Sequence, residues 1–268
     1  MKNWKFGASA KEFERLKEYA NQFELLEIYL EQGLKKGQDP IELIAAQITA
    51  TRKKPYSVHL RYKPFLDEHK DGVDAAIYDL SVLCMSGLAA DWGIELFVAH
   101  TSYPKNRYEL YNQIIRLGEA AHKYKVVIAI ENLCDRENLT KGYMLPRNPR
   151  EIAKILEELG NPYLGLCLDT GHAISNSELT DSLDWDNDVV RKWIKHVHYN
   201  DNIPEKDLHL PISEDASREL IANFKYLTQN SKHKGVVIFE HRKLEEAVMG
   251  KNYVQTAEYQ NIIPGGIK

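Results

Sequence analysis

The sequence predicts a single (β/α)8 barrel, an α/β fold, over residues 1–268, on three observations. Eight short runs rich in β-branched and apolar residues recur along the chain, amphipathic segments alternate with them, and six runs end in or beside a histidine or a carboxylate. Strand then helix, eight times, is the arithmetic of a closed parallel barrel, and a chain of 268 residues suits one.

Each element carries its own signal. The first run, Trp4 to Ser9, leads into KEFERLKEYA, where Phe13, Leu16, Tyr19 and Ala20 share one helical face. The second, Glu24 to Leu30, precedes Asp39-Pro40-Ile41-Glu42, a helix start with a capping side chain, a proline and an acid in the first turn. The third run is Tyr56 to Leu60 and the fourth Ile94 to His100, after which Asn106-Arg107-Tyr108-Glu109 again resembles a capping box. The fifth, Val126 to Glu131, is followed by Asn148-Pro149-Arg150-Glu151 and then Ile152, Ile155, Leu156 and Leu159 on one face, with Gly160 where a C-terminal cap belongs. Leu164 to Asp169, Ile194 to Tyr199 and Gly235 to Glu240 complete the set. No linker or low-complexity tract interrupts the alternation, so one domain is expected.

Composition narrows the function classes. Apolar content of 43% and charged content of 28% are those of an ordinary globular chain, and a net charge of -4 gives no global basic footprint for nucleic acid. Cys84, Cys134 and Cys167 are odd in number, and Cys167 sits inside an apolar run, which points to a reduced, cytoplasmic compartment. The amino terminus has no apolar signal core and no stretch reaches membrane-spanning length, so no membrane partner is expected.

Side chains at the C-terminal ends of barrel strands face the active-site mouth. Glu131, Asp169, His198 and Glu240 are thereby expected to converge, and two glutamates, an aspartate and an imidazole suit a divalent ion: Mn, Mg, Co or Zn. His59 and His100 are placed to hold a second ion beside Glu131, and His172 with Asp207 and His209 a third, giving one to three ions per chain. A carboxylate or imidazole at the end of a buried run is costly to desolvate without a partner, and a shared metal site supplies one for all. His196, two residues before His198, reads as a core residue one layer deeper, and His69, His122, His233 and His241 as surface residues.

The segments VHLRY, FVAHTSY, VVIAIENL, LGLCLDTGHA, IKHVHYND, DLHLPISED and VVIFEH, which cover nearly the whole barrel, resemble the xylose isomerase-like TIM barrels. That superfamily includes sugar and sugar-phosphate isomerases or epimerases and the endonuclease IV class of apurinic/apyrimidinic (AP) endonucleases. The resemblance implies, on the sugar side, an ion that chelates a keto sugar and stabilises an enediolate, with Glu131 and Glu240 as metal ligands and as the acid and base. Asp169 and His198 would complete the shell, and His172 and His209 would orient substrate hydroxyls. Tyr62 reads as a pocket wall, and Arg61, Lys63, Lys105, Arg107, Arg136, Lys206 and Arg242, just after strand ends, as candidates to bind a substrate phosphate.

The alternative is a trinuclear zinc AP endonuclease acting on damaged DNA, whose nine ligands all have counterparts here. Two departures weigh against it. Ser213-Glu214-Asp215 stands where a glycine-glutamate-glycine turn is expected, and EIYLEQGLKKGQDP lacks the arginine and aromatic pairing of a DNA-penetrating loop. A non-catalytic metal- or sugar-binding barrel is a third reading, opposed by the presence of both Glu131 and Glu240. Relatives of the sugar type imply a homo-oligomer.

Overall fold

Eight parallel strands close into one barrel in sequential order: β1 (Lys5–Ala10), β2 (Leu25–Tyr29), β3 (Ser57–His59), β4 (Leu96–Ala99), β5 (Val127–Glu131), β6 (Leu164–Asp169), β7 (Ile194–Tyr199) and β8 (Val236–Phe239). The structure is a computed structural model and describes residues 5–33, 39–64, 66, 69–134, 143, 146–176, 188–204, 206–213, 220 and 236–256. Every strand expected from the sequence is present, with ends displaced by one or two residues at most.

Helix starts follow the predicted chemistry. Asp39 and Asn148 accept hydrogen bonds from the backbone N–H of Ile41 and Arg150, each with proline at the first helical turn, and Asn106 accepts from the N–H of Glu109. Gly160 closes the helix Pro149–Leu159 with a left-handed φ of 59°. The apolar face of that helix, Ile152, Ala153, Ile155 and Leu156, is buried in the main core between the strands and the helix layer. Among the described residues no helix is long and apolar enough to cross a membrane.

The register fixes what lies inside the barrel. Ser9 pairs level with Glu27, Glu27 with Ser57, Tyr29 with His59, His59 with Val98, Cys167 with His196 and Asp169 with His198. Side chains alternate across a strand, so these positions form lumen layers, while Leu166, Val197 and Tyr199 turn toward the helices. A small apolar cluster of Leu96, Val98, Ala129 and Cys167 lines part of the lumen, and polar groups occupy the lumen near the mouth.

Candidate metal centre

The lumen-facing residues at or just beyond the C-terminal ends of the strands are Lys11, Tyr29, His59, His100, Glu131, Asp169, His198 and Glu240. Donor atoms of Glu131, Asp169, His198 and Glu240 lie within 4.8 Å of one another, and all four residues are buried. His198 Nδ1 stands 3.0 Å from Glu240 Oε2, 3.4 Å from Glu131 Oε2 and 3.9 Å from Asp169 Oδ2. His59, His100 and Glu131 form a second such group, and His172, Asp207 and His209 a third. Glu131 links the first two, since its Oε2 is 3.1 Å from both His59 Nε2 and His100 Nε2.

The imidazoles are oriented from behind. Nδ1 of His59, His172 and His209 donates to the backbone carbonyls of Leu60, Asn132 and Glu240 at 3.0, 2.8 and 3.1 Å. That leaves each Nε2 facing a carboxylate and free to serve as a ligand atom: Glu131 for His59, and Asp207 Oδ1 for His172 and His209 at 3.5 and 2.8 Å. His209 is held at φ 52°, a left-handed conformation uncommon for a side-chain-bearing residue. His198 is reversed, with Nε2 donating to a carboxylate and Nδ1 facing the centre.

A divalent ion fits this set. His198 Nδ1 and Glu240 Oε2 are both buried and close together, yet neither makes a hydrogen bond of proper geometry. Two buried donors aimed at one point without satisfying each other are what an oxygen- and nitrogen-liganded cation requires. Burial pushes Asp169, with help from the charges of Glu240 and Glu131 and against the pull of His172, up to about 6. For Glu131 burial also acts upward, but His100 and His198 outweigh it and hold the carboxyl well below the usual range. Glu240 is likewise depressed against its burial, by Lys11 first and then His198 and His209. His172 is raised despite burial by Asp169 first and then Asp207 and Glu131, and His198 by Cys167 first and then Glu27, Glu240 and Glu131.

Other expected site residues fall variously. Tyr62 lines the cleft at the barrel mouth and stacks on His100, with ring centroids 4.7 Å apart. Arg61 does not reach the cleft, which corrects its assignment to substrate. Its guanidinium turns into the helix layer and grips the carboxylate of Asp79, both residues buried, because that buried charge needs a partner there. Lys105 is exposed beyond β4, where its backbone N–H donates to Glu109, and it does not line the cleft. Arg242, also exposed and outside the cleft lining, donates to the Asp207 carbonyl at 2.8 Å and so braces the segment carrying that aspartate. His241 is 1% exposed, not a surface residue, since the position after Glu240 faces the helix layer and its Nδ1 donates to the His209 carbonyl. His69 is half-buried and His122 exposed, whereas His233, Arg136, Glu214 and Asp215 lie outside the described residues.

Sequence reasoning missed Lys11 and Glu27. Lys11 Nζ lies 2.8 Å from Glu240 Oε1 and 4.8 Å from the centre of the Tyr29 ring. Glu27, fully buried under the centre, had a visible signal, a lone carboxylate inside the apolar run LLEIYL. Asn200 also escaped notice: its Nδ2 donates to both oxygens of Asp169 at 3.3 and 3.1 Å.

The sequence profile of the xylose isomerase-like TIM barrels matches residues 13–256. The chain belongs to that family. Among solved structures it is similar to a D-tagatose 3-epimerase-like protein, at 20% identity and a TM-score of 0.71 over 96% of this chain and 97% of that one. Endonuclease IV from Thermus thermophilus is similar at 18% identity and a TM-score of 0.62 over 97% and 100% of the two chains. The IolI protein, solved with a bound zinc atom, is similar at 15% identity and a TM-score of 0.60 over 96% of each. At these identities the likeness establishes the shared barrel alone. No curated protein sequence matches the chain.

Proposed function

We propose that this family member is a divalent-metal-dependent isomerase or epimerase of a sugar or sugar phosphate, acting by proton transfer beside a carbonyl. The observation that carries this reading is the convergence of two buried carboxylates, Glu131 from β5 and Glu240 from beyond β8, on the His198 side of one four-donor centre. Glu131, Asp169, His198 and Glu240 would hold the ion, which when bound polarises the carbonyl and acidifies the neighbouring C–H. Glu131 and Glu240 then move the proton, one removing it from carbon and the other returning one. Lys11 keeps Glu240 ionised and fixes its Oε1, while Tyr29 and Tyr62 wall the cleft. The described lining includes one cation, Lys63, which favours a small ligand over the many phosphate contacts of a DNA duplex.

A second reading, a zinc-dependent AP endonuclease, is favoured by the other two clusters, His59 with His100 and Glu131, and His172 with Asp207 and His209. The two readings separate in one experiment. Protein reloaded with Mn, Co or Zn is incubated in deuterium oxide with a panel of ketoses and ketose phosphates, and in parallel with a duplex containing one abasic site. Deuterium entering a sugar carbon beside the carbonyl, lost in Glu131→Gln, supports the isomerase. Strand cleavage without exchange overturns it.

A further inference from the structure

We infer that Glu27, one layer beneath the cleft, is a positioning residue that fixes His198 with Nδ1 as its ligand atom and thereby makes the four-donor centre the tightest ion site in the chain. The inference rests on the reading that Glu131, Asp169, His198 and Glu240 hold an ion. Glu27 sits in the middle of β2, fully buried and facing the lumen, where a carboxylate is costly unless donors surround it. It has three: Ser57 Oγ and His196 Nε2 each donate to Oε2 at 2.8 Å, and His198 Nε2 donates to Oε1 at 2.9 Å. One oxygen of the pair thus serves His198.

An imidazole that donates from Nε2 presents its lone pair at Nδ1, the atom that lies 3.0 Å from Glu240 Oε2 and 3.4 Å from Glu131 Oε2. His59 and His209 rest instead on backbone carbonyls, and His172 Nδ1 donates to the Asn132 carbonyl at 2.8 Å with no carboxylate beside it among the described residues but Glu131 of the centre itself, at 3.1 Å, and Asp169, at 3.8 Å. A carboxylate behind an imidazole both orients it and makes it a stronger base than a carbonyl does, and loss of such a partner typically weakens metal binding about 10- to 100-fold. His198 is therefore the best nitrogen ligand in the cleft. Its centre fills before the group containing His59 and His100 and before the group containing His172, Asp207 and His209.

Glu27→Gln tests this. The carboxamide offers one acceptor oxygen to three donors, so at least one of them loses its partner while side-chain volume is kept. First-ion affinities for zinc and manganese are measured by competition with a chromogenic chelator, with circular dichroism as the check on folding. The expected result is a first-ion affinity about 10- to 100-fold below that of the unsubstituted protein. A variant that is less stable but binds equally tightly overturns the inference, because a merely structural Glu27 would give that outcome. A second measurement uses the unsubstituted protein and so stands even if the variant fails to fold: side-chain 15N NMR of the zinc-loaded form. His198 protonated at Nε2 and bound through Nδ1 supports the role of Glu27, and binding through Nε2 overturns it. An unsubstituted protein that takes up no divalent ion overturns the metal reading itself, whereas normal uptake with an unaffected Glu27→Gln overturns only the role of Glu27.

Discussion

Removing Asp79 from beneath Arg61 should destabilise the protein severely, although neither residue touches the cleft. Arg61 Nε lies 3.1 and 2.9 Å from the two carboxylate oxygens, Nη2 adds a third contact, and the Arg61 backbone N–H donates to Oδ2 at 3.2 Å. Arg61 is 4% exposed and Asp79 0%, so Asp79→Ala leaves a guanidinium charge without this counter-ion inside the protein, a change that costs about 3–5 kcal/mol. For a chain of this size that corresponds to a fall in Tm of roughly 6–20 °C. The electrostatics predict a contrast with the double variant. Burial pushes the Asp79 carboxyl up, and Arg61 offsets this only in part. A carboxyl raised above its unfolded value adds stability in its protonated form and withdraws it as pH rises through the folded value, and replacing both partners of a buried ion pair with apolar side chains of similar volume is often neutral or stabilising. Arg61→Met/Asp79→Leu should therefore recover most of the loss. Urea unfolding of the two single variants and the double variant at pH 7 measures the coupling. An Asp79→Ala change costing under about 1 kcal/mol, or a double variant as unstable as the single, would refute the reasoning.

Three further outcomes follow from the site. Glu240→Gln should lower any sugar proton exchange by about 10²- to 10⁴-fold with the fold intact, and a variant retaining near-normal exchange removes Glu240 from the chemistry. Metal affinity should fall as pH drops from 8 toward 5, because a proton and the ion compete for Asp169, whose carboxyl titrates at about 6, and the loss should steepen to at least tenfold per pH unit below that value; pH-independent binding contradicts this. Gly171→Ala should weaken metal binding and cost about 1–3 kcal/mol, since the new Cβ would clash with Asn200 Oδ1 and drive that amide off Asp169; unchanged metal affinity would mean that Asn200 does not steady the ligand.

The barrel was legible because its signals are local: period-two runs, capped helix starts and a glycine stop each stand in a few adjacent residues. The end-of-strand donors were legible for the same reason, as His59, His100, Glu131, Asp169, His198 and Glu240 each close a run the eye can find. The carboxylate that His196 and His198 share one layer down was not. Glu27 meets His196 and His198 across 169 and 171 residues of sequence, and only strand register brings β2 and β7 side chains into one lumen layer. Arg61 misled for the converse reason. It stands just after a strand end, which suggests the cleft, but the chain has left β3 by then, and the buried Asp79, 18 residues on, captures the guanidinium. His241 is buried because a helix covers the position after β8, which a strand-end pattern does not reveal.

Metal content of the purified, unchelated protein, measured by elemental analysis alongside His198→Ala, tests the central claim most directly. One tightly held divalent ion per chain, lost on substitution of His198, is the predicted result; close to three zinc ions per chain would contradict the isomerase reading in favour of the nuclease, and an ion retained without His198 would contradict the four-donor centre itself.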